Sequence, residues 1–181
     1  MVFLDPAQRI PREDEKARYE THDNSPEDEG YVTFLRKLAD PMLERIPPNS
    51  QGLDYGCGPG PAMHVIFEEH GHELEHWDPF FEPDRSVFDE RYDFITCSET
   101  AEHFHDPAGE FNRFDRMLRS GGWLAVMTAF RPADREFAGW HYRRDPTHAV
   151  FYREETFRWL ARRFGWQCEF PAPDVFLAKK R

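Results

Sequence analysis

The run Gly52-Leu53-Asp54-Tyr55-Gly56-Cys57-Gly58-Pro59-Gly60-Pro61 constrains this chain more than any other segment. Three glycines at alternate positions follow a short apolar stretch and precede a helical pattern over residues 62–70. Without a Cβ, glycine lets backbone turn sharply and lie against a ligand. The helix start beyond the turn offers unpaired N–H groups and the positive end of a dipole. Strand, glycine turn and helix in that order cradle a nucleotide-like ligand. The dinucleotide fingerprint is G-x-G-x-x-G, with the pyrophosphate over the glycines. Here the spacing is G-x-G-x-G, and Asp54 stands two residues before the first of those glycines. An acid there suits a cationic ligand better than a pyrophosphate.

The flanking patterns predict alternating strands and helices. Ser25-Pro26-Glu27-Asp28 reads as a helix start, with Ser25 as N-cap, and apolar residues from Tyr31 to Ile46 follow at helical spacing until Pro47-Pro48. Glu73 to Asp78 reads as a short second strand and Tyr92 to Cys97 as a buried one. Asp106-Pro107 opens a helix through Phe111, Phe114 and Met117, which Ser120-Gly121-Gly122 is expected to close as a glycine C-cap. Trp123 to Thr128 is a further strand and Glu154 to Phe164 a further helix. Trp166 to Phe170 and Val175 to Ala178 form a hairpin across Pro171-Ala172-Pro173-Asp174. The expected fold is α/β: a doubly wound, mostly parallel sheet with a C-terminal antiparallel hairpin. Residues 1–24, polar and without apolar period, read as an N-terminal extension or lid on a domain spanning 25–181.

Charge narrows the partners. The 181 residues carry a net charge of −11, which argues against a nucleic-acid backbone as main partner. Residues 131–181, with 11 Lys/Arg against 7 Asp/Glu, are the basic exception. They read first as solvated helix faces and second as a region favouring an anionic substrate group. No stretch approaches the ~18 apolar residues of a membrane span. Met1 to Ile10 lacks the order of a secretory signal, and the three cysteines are scattered, as for free thiols in a reducing compartment. A cytoplasmic location and a small-molecule substrate are expected; oligomeric state is not legible.

Asp-x-Gly-x-Gly-x-Gly at the end of a first strand resembles motif I of the class I methyltransferases, which use S-adenosylmethionine and release S-adenosylhomocysteine. The likeness runs from about Gln51 to the C-terminus. It implies a Rossmann-like methyltransferase fold in which Gly56, Gly58 and Gly60 lie against the amino-acid part of the cofactor. It also implies that Asp54 acts on the cofactor's ammonium group, often through water. Asp78, ending the second strand, takes the place of the acid that accepts both ribose hydroxyls, a task suited to two carboxylate oxygens. Phe80 or Phe81 then covers adenine, with Phe88 a further candidate. Tyr92-Asp93-Phe94-Ile95-Thr96-Cys97-Ser98-Glu99-Thr100-Ala101-Glu102-His103 followed by His105-Asp106-Pro107 is similar to the family's fourth-strand motif. By that match the Ser98 carbonyl faces the methionine end and Glu99 the methyl group, while Glu102 and His103 either share that site or brace the loop. Leu118-Arg119-Ser120-Gly121-Gly122-Trp123-Leu124 resembles the L-x-P-G-G-x-L turn, with Ser in place of Pro. The chain departs from the family between Asp78 and Tyr92. Only 13 residues intervene, too few for the usual crossover with its helix and third strand. That region is expected to be a vestigial strand around Arg85 to Phe88 or a loop.

The segment from Phe130 to Tyr152 is long for a connection and leaves the fifth strand of the family's sheet at its ligand-binding end. It carries Trp140, His141, Tyr142, Arg143, Arg144, Asp145, Thr147 and His148, a mixture suited to an aromatic or polar acceptor. His141, His148 and Glu99 are the candidate catalytic residues. As a base, a neutral imidazole takes a proton from a hydroxyl or amine. As metal ligands the two histidines need a third partner such as His22 or Asp145, and His-x6-His is not a recognised zinc spacing. Loop hydrogen bonding is the plainest reading, and no metal is expected. The function that follows is in-line methyl transfer to a small or medium-sized O, N or C nucleophile. The alternatives are a non-catalytic cofactor-binding domain acting through a partner, and an NAD-dependent oxidoreductase, which the glycine spacing disfavours.

Overall fold

Strand residues that alternate in side-chain direction send their apolar groups to both faces of one six-stranded sheet. The computed structural model describes residues 1–21, 24–60 and 62–181. In chain order these form β1 (Val2–Phe3), α1 (Arg12–Tyr19), α2 (Glu29–Leu43), β2 (Gln51–Tyr55), α3 (Ala62–Glu68), β3 (Glu73–Trp77), β4 (Tyr92–Ser98), α4 (Pro107–Met117), β5 (Leu118–Met127), α5 (Asp134–Phe137), β6 (Val150–Phe151), α6 (Glu154–Phe164), β7 (Gln167–Ala172) and β8 (Val175–Lys179). The sheet order is β3-β2-β4-β5-β8-β7. The first four strands are parallel; β8 and β7 are added antiparallel. Phe94, Ala125, Met127, Val175 and Leu177 pack under α2 and α3. Their neighbours Ile95, Leu124, Val126, Phe176 and Ala178 pack under α4 and α6. Helices therefore cover both faces, which is the doubly wound mostly parallel sheet with an antiparallel terminal hairpin expected from the sequence. Truncating a fully buried ring such as Phe111, Phe114 or Phe157 to alanine costs about 3–5 kcal/mol.

Two local expectations change, and an open one is decided. The cap of α2 is Asp28, whose carboxyl accepts from the Gly30 and Tyr31 amides at 2.8 and 3.1 Å; Ser25 instead makes a local turn with Glu27. Gly121 and Gly122 do not cap α4, because the chain is already extended at Leu118. Gly121, at φ +82°, lets β5 bulge outward, and pairing shifts from Tyr92↔Leu118 to Phe94↔Trp123. Between Asp78 and Tyr92 the chain makes a tight turn bridged from Asp78 to Glu82 and a 3-10 turn at Ser86–Phe88, so the loop alternative holds and β3 is a sheet edge.

The first 21 residues lie across the C-terminal ends of the parallel strands. β1 pairs antiparallel with β6. The Arg18 guanidinium donates to both carboxylate oxygens of Asp145, at 2.9 and 3.1 Å from Nε and 2.5 Å from Nη2. Arg12 donates to the Pro79 carbonyl at 2.7 Å and lies over the Phe80 ring. The segment thus ties the loop after β5 to the turn after β3.

Candidate active site

Beneath that arm, over the ends of β2, β3 and β4, is a cavity of about 980 Å³. Such a volume stands at the upper end of the range for small-molecule sites. One wall is the glycine turn. Gly56 and Gly58 have φ of +84° and +67°. A Cβ on Gly56 would fall 2.2 Å from Thr100 Cγ2, so the close approach of this turn to β4's exit requires glycine. Gly60 stands off the cavity wall, where a Cβ would meet the Asn24 carbonyl oxygen at 2.3 Å.

Asp78 follows β3 on the same wall and is buried. Its Oδ1 accepts from the Phe80 and Phe81 amides at 2.8 and 3.1 Å, and its Oδ2 from the Gly58 amide at 3.2 Å. A carboxylate has about four lone-pair directions, so one remains, on Oδ2. That remainder fits one further donor rather than the pair expected from the family. Phe80 and Phe81 line the cavity; Phe88 does not, being packed against Trp77 and Tyr55. Asp54 is also off the wall. It is 5% exposed and accepts from the Thr96 hydroxyl at 2.8 Å. Burial, with the nearby Asp78 charge adding to it, raises its pKa to about 7 despite the Thr96 bond.

The opposite wall brings together residues far apart in sequence. The Ser98 carbonyl accepts from the Thr100 hydroxyl at 2.9 Å and keeps one lone pair. Glu99 has φ +45°, a left-handed conformation that costs a non-glycine residue about 1 kcal/mol or more and is typical of functional turns. Tyr142, from the loop after β5, donates its hydroxyl between Glu99, at 3.1 Å, and Glu102 Oε1. Burial raises the pKa of both carboxyls, and for Glu99 the Glu102 charge adds to it. Glu102 Oε2 is buried with no hydrogen-bond partner among the described residues.

His103 and His148 stack edge to face beside them, with centroids 4.9 Å apart. His103 Nδ1 bonds the Thr147 carbonyl at 3.1 Å, and His148 Nδ1 bonds the Tyr142 carbonyl at 2.7 Å. A carbonyl can only accept, so each Nδ1 carries the proton and each Nε2 keeps a lone pair. Burial, followed by the neighbouring His103, lowers the His148 pKa to about 4. His103, His148 and Glu102 form a cluster in which one ligand atom of each, a ring nitrogen or a carboxylate oxygen, lies within 4.8 Å of the others.

Of the candidate catalytic residues, Glu99, His141 and His148 all line the cavity. His148 clusters with Glu102 and His103 rather than with His141 or Asp145. Asp145 is committed elsewhere: bonds from Arg18 and Thr147 overcome its burial and hold it well below the usual carboxylate range. His22 lies outside the described residues. Sequence reasoning named Tyr142 only as one of the acceptor-loop residues and gave Tyr19 no part beyond the lid, although Tyr19 packs on Phe80 and His103. Tyr142 meets Glu102 across 40 residues of chain, and no spacing signals such a pairing.

Comparison with known proteins accords with this geometry. Residues 28–169 match the model of a methyltransferase domain family. The ubiquinone biosynthesis O-methyltransferase of Aeromonas salmonicida (strain A449) is 31% identical over 80 residues. That alignment takes in 44% of this chain but only 34% of the relative. Among solved structures, the 1,6-didemethyltoxoflavin-N1-methyltransferase of Burkholderia thailandensis, crystallised with that compound and S-adenosylhomocysteine, superposes with a TM-score of 0.64. It shares 15% identity, over 99% of this chain and 94% of that one. A methyltransferase from Archaeoglobus fulgidus described as SAM-dependent gives 0.62 at 16% identity, covering 84% and 94%. Among the described residues no helix is long and apolar enough to cross a membrane. A glycine turn beside a strand-end acid, on a doubly wound sheet and matched over residues 28–169, means that the chain belongs to the S-adenosylmethionine-dependent methyltransferases.

Proposed function

We propose that the cavity holds S-adenosylmethionine along the glycine turn and Asp78, and a small acceptor against the wall made by Glu99, Tyr142 and His148. The observation that carries this reading is the Asp78 carboxylate, oriented by the Gly58, Phe80 and Phe81 amides with one lone pair left toward the cavity. The positive φ at Gly56 and Gly58 lets backbone, rather than side chain, border the ligand there. Phe80, held under Arg12 and Tyr19, supplies an apolar face suited to adenine. Asp54 acts at longer range, as a buried carboxyl behind the turn.

S-adenosylmethionine supplies a methyl group on a sulfonium leaving group. The tasks left to the chain are to hold the acceptor in line at ~3 Å and to exclude water. The arm over the cavity, fastened by Arg18–Asp145, serves as the lid. Glu99 and the neutral His148 are available to take a proton from an acceptor hydroxyl or amine; His141 stands on the same wall. The acceptor is a small or medium-sized aromatic or polar molecule, a choice supported by the aromatic wall. Of the relatives, one is named for O-methylation in ubiquinone biosynthesis and another for N1-methylation of 1,6-didemethyltoxoflavin.

Calorimetric titration with S-adenosylhomocysteine tests the cofactor reading: one equivalent should bind with micromolar Kd, and absence of binding at millimolar ligand overturns it. Release of S-adenosylhomocysteine on addition of a panel of small phenols, amines and heterocycles tests the transfer.

A further inference from the structure

We infer that Glu102, His103 and His148 form a site for one divalent transition-metal ion at the acceptor end of the cavity. The inference deepens the functional reading above and rests on it for the purpose of the cavity.

Three observations converge. Both imidazoles donate Nδ1–H to a backbone carbonyl, which leaves Nε2 as a lone-pair donor in a fixed ring orientation. Metal-binding histidines are commonly held by this second bond. Glu102 is 1% exposed, and Tyr142 occupies only Oε1, so Oε2 is a buried acceptor with no donor among the described residues. Such an atom costs about 1–3 kcal/mol if left alone, and a cation relieves that cost. Finally, the three side chains converge: a ring nitrogen of each histidine and a Glu102 carboxylate oxygen lie within 4.8 Å of one another. Ligands at 2.0–2.1 Å in a tetrahedral site stand roughly 3.3 Å apart, so a small inward rotation of the side chains closes the site.

Two imidazole nitrogens and one carboxylate suit zinc and its first-row neighbours rather than magnesium or calcium. All three residues line the cavity, so the remaining coordination positions open toward the acceptor. A bound ion would draw an oxygen donor of the acceptor to itself, beside Glu99. The Nε2 lone pair of His148 that serves as a base in the metal-free protein would then be a ligand instead.

The test is titration of chelator-treated protein with Co²⁺, read by its visible d–d absorption, and with Zn²⁺ by calorimetry, each beside a titration with S-adenosylhomocysteine. One equivalent of Co²⁺ should bind with intense tetrahedral or five-coordinate bands and no thiolate charge-transfer band. Glu102→Gln and His148→Gln should each weaken binding at least tenfold while retaining S-adenosylhomocysteine binding, which reports an intact fold. Three results overturn the site: no stoichiometric uptake by the wild type, a thiolate charge-transfer band, or uptake unchanged in both variants. Should either variant lose S-adenosylhomocysteine binding, the wild-type spectrum and His103→Gln decide in the same way. Wild-type protein that binds S-adenosylhomocysteine but no metal overturns this inference alone. Wild type that binds neither overturns the functional reading with it.

Discussion

Replacing Asp78 with asparagine keeps what Oδ1 does and removes what Oδ2 does. In the native protein three of its four lone-pair directions serve backbone: two on Oδ1 for the Phe80 and Phe81 amides, one on Oδ2 for the Gly58 amide. An asparagine that keeps its oxygen at the Oδ1 position preserves the turn after β3. It presents an NH2 group where Oδ2 stood, and so loses both the acceptor of the Gly58 amide and the one left for a ribose hydroxyl. A hydrogen bond to a buried charged acceptor contributes about 1.5–3 kcal/mol. At about 1.4 kcal/mol per factor of ten, S-adenosylhomocysteine should bind Asp78→Asn some 10- to 150-fold more weakly. Isothermal calorimetry measures the change, and a thermal melt checks that the variant is folded. A folded variant with less than a threefold loss refutes the assignment of Asp78 to the ligand.

Gly56→Ala forces a Cβ to within 2.2 Å of Thr100 at a φ of +84°; calorimetric binding of S-adenosylhomocysteine should disappear and the melting temperature should fall by several degrees. Burial lifts Asp54 from the ordinary carboxyl value to about 7, so the folded protein keeps a proton that the unfolded chain releases as pH climbs from about 4. Its stabilising contribution is therefore complete below that range and is lost as pH rises through 7, with a slope of at most about 1.4 kcal/mol per unit. Denaturant melts from pH 5 to 8 should show a shallower decline in Asp54→Asn than in wild type; identical slopes would contradict the shift. Arg18→Ala releases the arm from Asp145, a half-exposed ion pair worth less than about 1 kcal/mol of stability. Steady-state assays with the identified acceptor should show raised KM with little change in melting temperature, and an unchanged KM would deny the lid its role.

The framework was legible because its determinants are local. The glycine turn, the Asp106 cap of α4 and the mostly apolar run of β4 each announce themselves within a few residues. The acid after β3 was legible for the same reason. What the sequence could not display depends on who meets whom. Asp54 turns toward Thr96 because neighbouring parallel strands set them side by side, and nothing in its own segment says so. The α4 cap was misread because Gly121 serves a bulge, a need imposed by pairing with β4 rather than by the helix. The cluster of Glu102, His103 and His148 exists only because the loop after β5 folds back onto the end of β4 and delivers Tyr142 and His148 there.

The missing third strand has a consequence for solubility. With no crossover beyond it, β3 borders the sheet and offers a row of backbone donors and acceptors to any extended chain that drifts alongside. Glu73 and Glu75, both exposed on that strand, set two negative charges along the open side. A second copy of the same strand would bring like charges into register, so the carboxylates guard against edge-to-edge growth.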